Sequence, residues 1–546
     1  MRRTVLARVL GSIFARALTR APAEALGSAP GLALAAGLAL AGCGAEPSSS
    51  GGGGASIMLD IPNGVLDPPG YTSVQVTLHE ASGDTVRSAP VVGGHFDLGD
   101  LDPREAVSLE AVLRNDNGAA VGYGRTAVAA DLAAGAAVTI QVRRPIIYIA
   151  GVNGTLTGST RTWFGLPAAF SDLAASTTLD GTTTAAEKPA LMVAAGPSLY
   201  AFDHDVAPTT GNLSGAARIR AVSTADHALG AQLGTLPAGL VQDGAGSDDG
   251  LLLVVGTTEK LYLVDARPGA AVPVRELATG SFGRVAVVAG EGGALGALAI
   301  KNRVSTTGPC NPTAELWWFA GVGNETVDGK MVATGGFSDV AADRGRAWYV
   351  DACKGELGEA LPTGVRPGRT DLGKPTAIAV SNGQAWIGIE RTTPAVALAI
   401  VVASVDAASA ALRTLWSEAQ DQIVSAVNYP GVERRLTAQT ATFLQLEIGA
   451  GGDYVAATTA GTFHGVRVSA ANFPEMDMET RELRVFDAAS GGAVERYRSW
   501  CSGTLQVLTG SDIDPWRCAT STGQTAPMTA DRAHRLSSMT FLFGKK

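Results

Sequence analysis

The chain has 546 residues, 46% of them hydrophobic and 17% charged. That is enough apolar material for more than one buried core, and it excludes wholesale disorder. The formal charge is -9, and residues 1–42 hold five arginines against one acid, so the remainder is more acidic still. Such a surface repels phosphate backbones and anionic lipid, which argues against nucleic acid and against docking on a membrane by charge alone. Glycine reaches 68 residues and aromatics only 6%. Frequent turns between short apolar runs predict an all-β protein.

Residues 1–42 begin with arginines and end in a short apolar run, Gly31 to Gly42, too brief to span a bilayer. Leu40-Ala41-Gly42-Cys43 follows, then a Ser/Gly-rich stretch to residue 56. These four residues resemble the lipobox of bacterial lipoproteins, in which signal peptidase cuts before a cysteine that carries lipid. The resemblance implies a signal peptide over 1–42, lipid on Cys43 and a tether over 43–56. Gly44, where enteric lipoproteins kept in the inner membrane carry Asp, points by the same resemblance to the outer membrane. Arg2-Arg3 is similar to a twin-arginine export signal, but the apolar run begins far from the pair, which favours an ordinary basic start.

Beyond Cys43 an even number of cysteines remains: Cys310, Cys353, Cys501 and Cys518. In an exported chain they suggest two disulfides, and three pairings are open. Sequence proximity favours Cys310–Cys353 and Cys501–Cys518. No Cys/His cluster with zinc spacing exists.

Over 57–144 short alternating runs come in quick succession. Val74, Val76 and Leu78 share one strand face, as do Val107, Leu109, Ala111 and Leu113, and Val138, Ile140 and Val142. Turn sequences such as Asn115-Asp116-Asn117-Gly118 separate them. About seven strands predict a small β-sandwich, similar in pattern to immunoglobulin-like or prealbumin-like modules. His79 and His95 fall in or beside these strands and read as solvent-facing.

Residues 145–546 repeat a unit of apolar strand, tight turn and second strand ending in an acid. Leu199–Asp203, Leu261–Asp265, Ala347–Asp351, Ala403–Asp406 and Leu483–Asp487 are its copies. The units resemble PQQ-like and YVTN-type β-propeller repeats, which implies a ring of blades, seven favoured, with six or eight open. Closure is expected between Ile146–Ile149 and Met539–Phe543. Uneven spacing between the acids suggests diverged blades or insertions. Recurrence of Asp203, Asp265, Asp351, Asp406 and Asp487 at what read as equivalent positions favours a structural role, capping turns by accepting backbone N–H groups.

Little else suggests chemistry. Asp203-His204-Asp205 could converge two carboxylates, making Asp203 and Asp205 weak metal candidates. The acidic, glycine-rich stretch Asp243–Gly250 reads as a solvated loop, and calcium is the one ion such a sequence could hold. No nucleophile elbow, Walker loop or zinc-protease motif is present. Quinoproteins carry a tryptophan in most blades; here only Trp416 and Trp500 follow an acid suitably, which counts against a quinone cofactor. The expected function is therefore a lipid-anchored cell-envelope module that binds an envelope protein or glycan through a propeller face. The alternative is an exported propeller enzyme of hydrolase, lactonase or quinoprotein type.

Overall fold

The computed structural model describes residues 55–544, apart from short connecting stretches and the longer segments 168–188 and 503–534. Cys43, Cys518 and the whole leader lie outside the described residues, as does the side chain of Asp205.

The first seven strands form a small sandwich. Tyr71–Glu80 lies between Gly83–Pro90 and Arg104–Asn115, and the sheet continues to Ala120–Arg125, with Ala130–Leu132 also paired to Arg104–Asn115. Ser56–Asp60 and Ala137–Gln141 pair in parallel as a second layer. Period-two alternation sends Val74, Val76, Leu78, Val107, Leu109, Ala111 and Leu113 into one core, each no more than 1% exposed, together with Ile57, Leu59, Ile140 and Val142.

The remaining strands make a seven-bladed propeller. Blade 1 is closed by both ends of this region: the late strand Arg535–Phe541 pairs with Ile146–Asn153, which pairs with Thr160–Pro167. Met539 faces Ile149, and Phe541 faces Ile147, in antiparallel register. Blades 2 to 6 are four-stranded meanders whose inner strands are Pro189–Ala195, Val241–Gly246, Phe282–Ala289, Phe337–Asp343 and Lys374–Ser381. Blade 7 has five strands around Glu433–Gly449. Inner strands of successive blades touch all round the ring.

A four-stranded sheet with two apolar faces cannot remain exposed, and the gaps between blades 2 to 7 are accordingly separate cores, while blades 7, 1 and 2 share one with the sandwich. Tyr200 and Phe202 of blade 2 meet Leu253 and Tyr262 of blade 3. Phe337 and Tyr349 of blade 5 meet Leu298 and Leu316 of blade 4. Trp416 and Phe443 fill the gap between blades 6 and 7. This explains why central strands such as Leu252–Thr257 are buried at every residue instead of alternately.

The repeat that recurs in all seven blades differs from the acid-ended unit. Each inner strand carries a bulge against its neighbour, at Leu536/Ser538, Pro189/Leu191, Val241/Asp243, Phe282/Arg284, Phe337/Asp339, Pro375/Ala377 and Phe443/Gln445. A bulge adds one residue and re-aims the next side chain. In four blades that side chain bonds the backbone of the following blade, one residue past its own bulge. Ser538 Oγ accepts from Met192 N at 3.0 Å, Asp243 from Val285 N at 2.9 Å and Asp339 from Ile378 N at 3.0 Å; Gln445 donates to Met539 O at 2.8 Å.

The five repeated acids, by contrast, are not equivalent. Asp203 and Asp351 lie on second strands of their blades, Asp265 on a third strand, Asp487 on the strand two out from the inner strand of five-stranded blade 7, and Asp406 just after a third strand. Mixing these two positions accounts for much of the uneven spacing that diverged blades or insertions were expected to explain.

Candidate functional site

The sandwich covers the mouth of the propeller at which the inner strands end. Tyr123 meets Phe543 edge to ring, with centroids 5.8 Å apart, and Tyr454 donates its hydroxyl proton to Ala120 O at 3.0 Å. Arg125, 8% exposed, pairs with Asp248 in the turn after the blade 3 inner strand and donates to Phe543 O. Arg114 pairs with Asp453 at 2.9 Å, and Arg344, in the corresponding blade 5 turn, reaches Asp84 at 3.2 Å. His79, expected to face solvent, is half-buried in this joint, its side chain only 9% exposed.

Behind this plug lies a cavity of about 60 Å³, lined by Arg125, Asp248, Ala194, Gly244, Glu447 and Thr540. Glu447 accepts from Thr540 Oγ1 at 3.0 Å and from Phe541 N at 2.9 Å, and Thr540 accepts from Ala194 N at 3.2 Å. These bonds join blade 7 to blade 1 and blade 1 to blade 2, at the seam where early and late segments of the chain meet. Glycine keeps this end of the ring narrow: a Cβ on Gly244 would stand 2.6 Å from Val193 Cγ2. Asp243–Gly246, read from sequence as the start of a solvated acidic loop, thus belongs to the inner strand Val241–Gly246, with Asp243 only 4% exposed. Apolar strand signals fail here because small residues were selected by the tight ring.

The opposite mouth, where inner strands begin, carries a second set of charges. The Arg284 guanidinium pairs with Asp339 at 3.1 Å and donates across the channel from blade 4 to Leu444 O of blade 7. Arg303, just beyond the second strand of blade 4, donates to Ser338 O at 2.6 Å and approaches Thr376 O at 3.5 Å. Burial, reinforced by the positive charge of Arg284, pulls its pKa down to about 9 against the attraction of Asp339, Asp243 and Glu390. Lys374 stands 2.7 Å from Glu390. Burial nevertheless holds the Glu390 carboxyl above its ordinary range, although Lys374 and Thr442 favour its charged form. Buried charges therefore line the mouth that the sandwich leaves uncovered. Sequence reading missed Arg284, Arg303, Asp339, Glu390 and Glu447 and placed Asp243 in a loop; these residues come from five different blades and share no linear motif.

The residues singled out from sequence sit elsewhere. Asp203 is fully buried, 3.4 Å from Arg220 and 3.8 Å from Arg218. His204 Nε2 accepts from Val241 N at 3.1 Å, on the opposite face of the strand. Asp351 accepts from Gly336, Cys353 and Lys354 N–H groups at 3.0, 2.8 and 3.0 Å. Asp265 binds Arg267 through its N–H and side chain, and that pairing is the main reason its pKa lies below the usual range. For Asp487 burial acts upward, but the N–H and hydroxyl of Ser490, each 2.7 Å away, outweigh it and leave its pKa low. Asp406 instead pairs with Arg346, and in its turn Ser404 Oγ accepts the backbone N–H groups of Asp406 and Ala407 at 3.3 and 3.2 Å. Trp416 packs on Phe486 with the Arg484 guanidinium 4.5 Å from its ring centre, a structural setting. Among the described residues, no three His, Cys, Asp or Glu side chains converge as a metal site would need.

Cys310 and Cys353 form a disulfide with Cα atoms 5.4 Å apart. It ties the connection after the blade 4 second strand to the turn after the blade 5 second strand, on the side where the inner strands begin. Cys501 is the last residue but one of the final strand of blade 7, Ala493–Ser502, and its expected partner Cys518 lies outside the described residues.

No protein-family model matches the chain, and no curated protein is significantly similar to it. Among solved structures it is similar to a Bacteroides fragilis protein described as a putative 6-phosphogluconolactonase, with 12% identity over 73% of this chain and 98% of that one and a TM-score of 0.36. It is also similar to the WD40 domain of Neurospora crassa Pan2, with 10% identity over 50% and 86% of the two chains and a TM-score of 0.30. The putative TolB of Agrobacterium tumefaciens gives 11% identity over 49% and 84%, with a TM-score of 0.29.

Proposed function

We propose that the chain is a lipid-anchored cell-envelope protein whose propeller binds an envelope protein or glycan at the mouth opposite the sandwich. The observation that carries this reading is the asymmetry of the channel. Tyr123, Arg125 and Arg114 close one mouth, while Arg303, Lys374 and Glu390 stand at the other. In this reading Cys43 carries the lipid, the Ser/Gly stretch is a tether and the sandwich is the spacer. A rigid ring presenting varied loops around a polar mouth suits recognition.

The test compares crosslinking to envelope components by the wild-type chain, by Lys374→Glu at the open mouth and by Arg87→Glu on the exposed sandwich strand. Loss of crosslinks in Lys374→Glu alone supports the reading; loss only in Arg87→Glu, or in neither variant, sinks it. Lipidation is checked separately, since Cys43→Ser should release the protein from the membrane fraction. The enzyme alternative draws on one observation, the buried Glu390 carboxyl with its raised pKa at the same mouth. It requires turnover of a substrate that Glu390→Gln abolishes while binding persists.

A further inference from the structure

His79 lies where sandwich meets propeller, and its Nδ1 has two competing neighbours. Asp84 Oδ1 is 2.9 Å away, and Arg344 Nη2, from the blade 5 turn, is 2.7 Å away. On the other side of the ring, Nε2 stands 3.4 Å from Glu110 Oε2. A guanidinium can only donate and a carboxylate can only accept, whereas a ring nitrogen does one or the other according to its proton. Nδ1 therefore satisfies one neighbour at a time. In neutral His79 with its proton on Nε2, Nδ1 accepts from Arg344 while Nε2–H faces Glu110. In charged His79 both N–H groups face carboxylates, and Arg344 meets an N–H and a like charge.

We propose that His79 is a proton-operated joint: neutral, it holds Arg344 of the propeller; charged, it turns to Asp84 and Glu110 of the sandwich and loosens Arg344. The groups around the ring support both states. Asp84 and Glu110 come from the two strands flanking that of His79. Among the described residues of the propeller, Arg344 is the charged group that faces the ring; it also pairs with Asp84 at 3.2 Å, bonds Asn382 Oδ1 at 2.5 Å and lies 4.0 Å from Asp343. Glu110 also acts on Tyr123 and Arg125, so the joint is electrically continuous with the channel plug. Burial disfavours the imidazolium, but Glu110 and Asp84 outweigh it and raise the pKa, while Arg344 pulls it back.

Linkage then fixes the sign. Because Arg344 lowers the proton affinity of His79, binding a proton must weaken the hold on Arg344 by the same factor. Acidification through the His79 midpoint loosens the joint, and raising the pH tightens it. The sandwich's own stability runs the other way. A raised folded pKa contributes stability that is fully present below the unfolded value of about 6.5 and is lost as pH rises through the folded value.

The full chain in detergent, labelled at its six histidines, provides the test by NMR titration. The expected His79 midpoint lies above 6.5, moves down in Glu110→Gln and moves further up in Arg344→Gln, while Arg344→Lys, which keeps the charge, stays near wild type. Amide-exchange protection of turn 343–345, corrected for intrinsic rates, should fall on acidification through the midpoint in wild type and stay flat in His79→Phe. A midpoint unmoved by Arg344→Gln, or protection independent of the His79 charge, overturns the proposal.

Discussion

Asp339 concentrates the logic of the ring in one side chain. It is 2% exposed, one carboxylate oxygen pairs with Arg284, and the other accepts the Ile378 N–H of the next blade. Removing one partner of a buried ion pair strands the other, at a cost of about 3–5 kcal/mol. Asp339→Ala should lose stability of that order in denaturant unfolding, and Asp339→Asn distinctly less, because the amide oxygen still accepts from Ile378. Gly244→Ala tests the opposite failure. Its new methyl group would press on Val193, and overpacking of this kind costs about 1–3 kcal/mol. Neither residue advertised itself. A lone Asp before an apolar run reads as a turn acid, and Gly244 reads as part of a loop, because the contacts that matter come from another blade.

At the scale of the element, the inner strand is the unit of construction, and its bulge is what repeats. The seam between blades 7, 1 and 2 is fastened by Gln445, Glu447, Ser538 and Thr540. Thr540→Val keeps the shape and removes the hydroxyl that serves both Glu447 and Ala194 N. Leaving those groups unpaired should cost about 1–3 kcal/mol in thermal unfolding. The disulfide belongs to this scale as well. It spans 43 residues, and on loop entropy its removal by Cys353→Ser should cost about 4 kcal/mol, read as a lower denaturant midpoint. Strand positions and the ring-closing pair Ile146–Ile149 with Met539–Phe543 were legible in the sequence because apolar runs and turn residues are local signals. The register of the acids was not, since second and third strands of a blade look alike when both are buried on two faces.

At the scale of the whole molecule, the described parts of sandwich and propeller share a core. Val112, Ala120 and Tyr123 of the sandwich pack with Tyr454, Phe541 and Phe543 of the propeller. A single cooperative transition is therefore expected by calorimetry. Tyr123→Ala with Arg125→Ala, which strips the plug, should split it into two transitions. Two transitions already in wild type would show that the shared core does not couple the domains.

By itself the sequence determined the all-β character and the alternating strands of the small sandwich, which follow from alternation and turn chemistry. The ring and its closure between early and late strands came through the resemblance of its repeats, and proximity along the chain favoured Cys310 with Cys353 among three pairings. Only the tertiary structure decided which charges meet. Arg284, Arg303, Asp339 and Glu390 are brought together by the curvature of the ring, and His79 meets Arg344 only where a propeller turn touches the sandwich. Burial and pairing between blades depend on distance in space, which a one-dimensional pattern does not encode.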